Sequence, residues 1–216
     1  MQATEETTRP RGRPRNVPRD QALDAAVRLF WASGYDAASI DQLCRETGMP
    51  RASLYQDYGG KQGLFLAAIA HYVDTRLRPI GQALGPAGSL EDDLARFFKA
   101  VVALATSDSQ TPGCLISCVL AEVAGANDTF RQELDRRFTA LENRIHERLS
   151  HGADTPDNAR ALAGMLAAVA RGMMLRARAG ATAADLESIA DVTLVTVFGE
   201  RPSPLGVREC SGPVTS

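Results

Sequence analysis

The feature that most constrains this chain is a pair of short helical segments split by a glycine. Ser39-Ile40-Asp41-Gln42 has the form of a capping box: the serine hydroxyl accepts an amide of the next turn and the glutamine reaches back. Ile40, Leu43 and Cys44 give this segment an inward face. Gly48 breaks it, and Met49-Pro50 opens a further helix with proline near its first position. That helix carries Arg51, Ser53, Tyr55 and Gln56 and stops near Gly59-Gly60. An earlier helix from Arg19 places Ala22, Leu23, Ala26, Val27, Leu29 and Phe30 on one apolar face and ends at Gly34. Two short helices joined by a tight turn are the layout of a helix-turn-helix, whose second helix enters the DNA major groove.

The side chains suit that task. Arg51 donates to a guanine edge or a phosphate, and Gln56 pairs with an adenine. Ser53, Tyr55 and Tyr58 offer hydroxyls to phosphates. Lys61 opens the next helix, where its charge and the free amides together favour a phosphate. Ser39 and Gln42, at the start of the preceding helix, complete the expected DNA-binding set. Asp57 is left out of it, because a carboxylate near phosphates costs affinity unless it points away or pairs with Arg51 or Lys61. The competing reading, a small helical subdomain with ordinary surface polarity, leaves Tyr55 and Tyr58 beside Ser53 and Lys61 without a purpose.

The formal net charge is only -2, so DNA affinity must come from local charge. Arg9, Arg11, Arg13, Arg15 and Arg19 crowd one stretch whose only nearby acid is Asp20. Pro10, Pro14 and Pro18 prevent a continuous helix there, so residues 1–17 read as a disordered basic arm, or as a solvated tail with no role. Residues 18–62 form the expected DNA-binding domain, 63–199 a larger helical domain, and 200–216 a disordered tail rich in proline and glycine. In the larger domain a helix runs over 61–83 and others over roughly 89–107, 112–125, 127–150, 157–179 and 182–198. No period-2 strand and no internal repeat interrupt them. The fold class is therefore all-α.

The chain lacks a Gly-x-Ser-x-Gly elbow, a His-Glu-x-x-His pair and a phosphate-binding glycine loop, so an enzyme is not expected, nor a cofactor or a metal. No leader-like segment opens it and no apolar run approaches the ~20 residues that span a bilayer. A cytoplasmic protein with reduced thiols and no membrane contact is expected.

The stretch Ala25-Ala26-Val27-Arg28-Leu29-Phe30-Trp31-Ala32-Ser33-Gly34-Tyr35 resembles the first helix of the TetR family of bacterial repressors. Ser39-Ile40-Asp41-Gln42-Leu43 resembles that family's second helix. Arg51-Ala52-Ser53-Leu54-Tyr55-Gln56-Asp57-Tyr58-Gly59-Gly60-Lys61-Gln62-Gly63-Leu64-Phe65 resembles its recognition helix and the start of the fourth. The resemblance covers about residues 19–70. It implies some nine helices and a body that binds a small-molecule effector and forms a homodimer. Double-stranded DNA, as a palindromic operator, is the implied partner. Without effector the two recognition helices would sit ~34 Å apart, matching successive major grooves, and effector binding would spoil that spacing through the helix beginning at Lys61. A repressor is expected; an activator or a helical protein-binding adaptor is the lesser alternative.

Two features of the body follow. Leu162, Met165, Leu166, Val169, Met173 and Met174 on one helix, with Leu186, Ile189, Val192, Leu194, Val195 and Phe198 on the last, form either a dimer interface or core. Phe97, Val101, Leu104, Cys114, Leu115, Cys118, Leu120, Phe130 and Phe138 are the candidate lining of the effector pocket. Cys114 begins a helix after Pro112-Gly113, where free amides favour a thiolate. An oxidant or electrophile sensor is therefore an alternative to plain packing. A metal held by Cys114, Cys118 and Glu122 is a weaker option, and His146 and His151 read as a helix end and a loop.

Overall fold

In a computed structural model of the chain, residues 17–151 and 156–199 are described. The arginine cluster 9–15, the tail 200–216 and Cys210 lie outside them. The described residues are helical and contain no strand. They group into two compact units: residues up to Arg78 together with Leu115–Leu134, and Pro79–Cys114 together with the residues from Asp135 on.

The first unit begins with α1 (Arg19–Ser33), α2 (Ile40–Thr47), α3 (Arg51–Tyr58) and α4 (Lys61–Tyr72). Local chemistry sets their ends. The capping box at Ser39 and Gln42 is formed in both directions. Gly48 and Gly59 adopt the left-handed conformation that closes α2 and α3, with φ of 68° and 72°. α1 packs on α2 and α4, and α3 packs on α4. The interior is aromatic: Phe30, Trp31, Phe65 and Tyr72 are buried, with Leu43, Leu54 and Leu64 filling between the helices. His71 on α4 meets Asp24 on α1 at 2.8 Å.

The long helix expected over 61–83 is interrupted by a π turn at Val73–Leu77, followed by α5 (Arg78–Gln82). Pro79 has no amide hydrogen for the carbonyl one turn back, which accounts for the break in the regular ladder. A second π turn, Ile116–Leu120, replaces the first half of the helix expected over 112–125 and leads into α7 (Ala121–Ala124). Both α7 and the beginning of α8 (Asp128–Leu149) belong to the first unit, so this unit reaches beyond the boundary expected at residue 62.

The second unit holds α5, α6 (Leu90–Ala105), the remainder of α8, α9 (Ala159–Arg178) and α10 (Ala183–Phe198). α6 packs against both α9 and α10. Ser89 caps α6 and Thr182 caps α10 through side-chain oxygens. One buried ion cluster sits in this unit. Asp93 is 0% exposed, and Arg148 of α8 donates to it from Nε at 2.5 Å. Arg96 pairs with its other oxygen. Arg148 also donates to the Gly88 carbonyl and Arg144 to the Gly81 carbonyl, so α8 holds α5 and the α5–α6 loop by one backbone oxygen each.

Candidate nucleic-acid interface

Leu54 anchors α3, fully buried, and the helix's exposed residues follow from that anchor. Arg51, Ala52, Tyr55, Gln56 and Asp57 are exposed; Ser53 and Tyr58 are half-buried. Tyr55, an aromatic residue left 49% exposed, is held close by a bare backbone: a Cβ on Gly60 would stand 3.4 Å from its ring. The expected readers Arg51, Tyr55 and Gln56 thus share the outer side of one helix.

Ser53 and Asp57, one turn apart, look elsewhere. They line a cleft of about 570 Å³ with Val17, Pro18, Arg19 and Ala22 at the start of α1, Gly48 to Pro50 in the turn, and Tyr58. Asp57 therefore shares its surroundings with Arg19 rather than with Arg51 or Lys61. Val17 leans on the turn so closely that a side chain at Gly48 would meet its Cγ2 at 2.8 Å.

Four of the expected contact residues already have partners within the chain; the Ser39–Gln42 pair is the expected capping box, while those of Arg51 and Lys61 were not announced by spacing. Arg51 Nη1 pairs with Asp41 of α2 at 3.3 Å, both side chains in water. Gln42 has its carbonyl oxygen on the Ser39 amide, 3.0 Å away, and the Ser39 hydroxyl accepts from the Gln42 amide at 3.2 Å. Lys61 donates to the Asp36 carbonyl at 3.1 Å and lies 4.5 Å above the Tyr35 ring. Partial burial lowers the Lys61 pKa, with Asp36 opposing the shift, and burial followed by Asp36 raises that of Tyr35. Lys61 is thus a clasp on the α1–α2 turn as well as a cation at the start of α4.

Gly63 is a residue whose role only the packing reveals. A Cβ there would fall within the van der Waals shell of the Tyr58 carbonyl, so the last turn of α3 meets α4 backbone to backbone. A glycine inside a helical run is the sequence signal that could have pointed to it.

The expected effector-lining residues divide between the units. Phe97, Val101, Leu104 and Cys114 are buried in the second; Leu115, Leu120 and Phe130 are buried, and Cys118 half-buried, in the first. Phe138 carries the Arg171 guanidinium on its ring at 3.9 Å and accepts from Arg171 through its carbonyl. Phe130 packs against Phe65 and Tyr35, which places it in the interior of the DNA-binding unit. Cys114 precedes the helix that starts at Leu115, but its side chain is only 4% exposed. Among the described residues no group of His, Cys, Asp and Glu could hold a metal ion, and no helix is long and apolar enough to cross a membrane.

Residues 22–68 match the model of the bacterial regulatory proteins of the tetR family, and residues 91–192 match that of the LmrA/YxaF-like transcriptional regulator C-terminal domain. The HTH-type transcriptional repressor ComR of Escherichia coli K12 is 31% identical over 198 residues, 89% of this chain and 94% of ComR. BdcR, an HTH-type transcriptional repressor of the same organism, is 28% identical over 82% of this chain and 87% of its own length. Among solved structures, a cysteine mutant of the TetR family regulator CifR, complexed with a 26-base-pair double-strand operator, superposes with a TM-score of 0.75. It is 28% identical, over 84% of this chain and 98% of that one. A helix-turn-helix with polar side chains exposed on α3, and likeness along nearly the whole chain, lead to one conclusion: this protein is a DNA-binding transcriptional regulator belonging to the TetR family.

Proposed function

We propose that the protein represses transcription as a cytoplasmic homodimer, binding a palindromic operator and leaving it when a small molecule binds the helical body. The observation that carries the reading is the outer side of α3, where Arg51, Tyr55 and Gln56 stand in water while Leu54 is wholly buried. Two relatives spanning most of the chain, ComR and BdcR, are named repressors, which favours repression over activation. Met165 and Leu175 on α9, and Val192, Val195 and Phe198 on α10, are exposed large apolar residues, which suits a two-fold interface through the last two helices. A thiol-sensing regulator built on Cys114 ranks second. At 4% exposure that sulfur meets a dissolved oxidant only after local opening.

Selection of duplexes from a random-sequence pool by the full-length protein tests the reading. One enriched palindrome is expected. Arg51→Ala and Gln56→Ala should each relax preference at particular base pairs, by about 1–3 kcal/mol for a bidentate contact. Tyr55→Ala should weaken binding to every sequence by a similar factor, because phosphate contacts position without specifying. Folded variants that all retain the wild-type preference and affinity would remove α3 as the reader.

A further inference from the structure

Phe130 lies in the sequence far from the helix-turn-helix, yet its ring closes the interior of that unit. The ring is 1% exposed. It meets Phe65 of α4 edge-on at 5.3 Å and Tyr35 of the α1–α2 turn at 4.9 Å. Tyr35 and Phe65 are themselves 4.9 Å apart, and Phe65 is 4.8 Å from Phe30 of α1. Four rings from α1, the turn, α4 and α8 thus form one cluster.

Each side of the cluster is fastened. Phe130 is the third residue of α8, and its amide donates to the Asn127 side-chain oxygen at 3.1 Å. The Arg131 amide donates to the Asn127 carbonyl at 2.9 Å, so the helix start that delivers the ring is capped. On the far side Lys61 lies over Tyr35 and holds the Asp36 carbonyl. The first turn of α4 therefore touches the α1–α2 turn through Lys61 and the end of α3 through Gly63.

We propose that Phe130 is a positioning residue for DNA reading: its ring, supplied by the segment 115–134, sets Tyr35 and Phe65 and through them the α1–α2 turn and the first turn of α4 against which α3 rests. Any event that draws the first turn of α8 away withdraws this ring. The three N-terminal helices keep their hydrogen bonds, but the turn joining α1 to α2 loses its floor. Phe130 then serves the interior of its own unit beneath α3 rather than an effector wall. This inference rests on the reading of α3 as the DNA-contacting helix.

The test uses the full-length protein, amide hydrogen exchange without DNA, and affinity for the duplexes that the wild type enriches from a random pool. Phe130→Leu keeps an apolar side chain and removes the ring; Phe130→Ala removes both; Arg131→Ala, exposed beside it, is the control. Phe130→Ala should speed exchange at 35–38 and 61–68 about tenfold and weaken duplex binding about as much. Phe130→Leu should do the same by about threefold, in keeping with the usual strength of aromatic pairs. Arg131→Ala should do neither. Combining Tyr35→Leu with Phe130→Leu should cost less than the sum of the single changes, because both remove the Tyr35–Phe130 contact. Should Phe130→Ala fail to fold, the leucine variant decides. Unchanged exchange at 35–38 in Phe130→Leu, or fully additive effects with Tyr35→Leu, would overturn the proposal. A wild-type protein that enriches no sequence would count against DNA reading by α3, while the exchange arm still decides the placement of the ring.

Discussion

The two units solve the same problem, a stable helical interior, with different additions to an apolar core. The first is held by aromatic rings and close backbone approach, and its outer residues on α3 are polar apart from Ala52 and Tyr55. The second has a buried carboxylate between two arginines at its centre and five large apolar side chains in water on α9 and α10. The first looks finished as it stands, with a surface made for a wet, charged partner such as DNA. The second sets an ion cluster within an apolar interior and leaves apolar side chains outside, which suits a surface awaiting a second copy. Stiffness and specificity come from different places in one chain.

The sharpest way to break this contrast is at Asp93. Asp93→Ala leaves Arg148 buried without its carboxylate, an uncompensated charge that should cost about 3–5 kcal/mol. Thermal unfolding should show the loss, and hydrogen exchange should locate it in α6 and α8. Loss confined to α1–α4 would mean that the ion cluster is not what holds the second unit. Replacing the cluster by apolar residues of similar volume should cost far less.

Gly63→Ala probes the other material. The added methyl meets the Tyr58 carbonyl, and backbone cannot step aside as a flexible side chain would. A loss of about 3 kcal/mol, the upper range for overpacking, is expected, with duplex affinity falling sharply. Gly125→Ala, where a Cβ meets nothing within 4 Å, is the control. Equal behaviour of the two variants would show that the α3–α4 contact is looser than described.

The unfinished surface is tested by charge. Val192→Lys with Val195→Lys adds two cations to exposed positions of α10, so the isolated fold should tolerate them within about 0.5 kcal/mol each. Sedimentation should nevertheless move from dimer toward monomer, and operator binding should fall with it. An unchanged dimer would place the interface elsewhere. The smallest expected effect is at Asp185. The Thr182 amide, and then its hydroxyl, lower this carboxyl's pKa. A lowered folded value means a contribution present above the unfolded value of about 3.9 and lost as pH falls through the folded one. The difference in melting temperature between wild type and Asp185→Asn should therefore be small at neutral pH and vanish in strong acid.

Helices and their ends were legible because they are decided within a few residues. Ser39 with Gln42, Gly34, Gly48 and Gly59 stop and start the chain by hydrogen bonds and backbone freedom that involve only neighbours. The exposed side of α3 was legible for the same reason, since one buried Leu54 in eight residues leaves little choice about which side faces out. The π turns were not, because apolar spacing is nearly the same for four- and five-residue ladders over one turn.

What the sequence determined by itself was therefore the all-helical class, the helix-turn-helix and the polar set on α3. Tertiary structure decided which apolar residues of the last two helices turn inward: Leu166, Met173, Met174, Leu186 and Leu194 do, while Met165, Val192, Val195 and Phe198 do not. Both helices are apolar on more than one side, so periodicity defines faces without saying which face a neighbour covers. Tertiary structure also joined Asp93 to Arg148, 55 residues apart, and set the Phe130 ring against Tyr35. A ring or a carboxylate carries no mark of the distant side chain it will meet, because such pairings are selected by how whole helices pack.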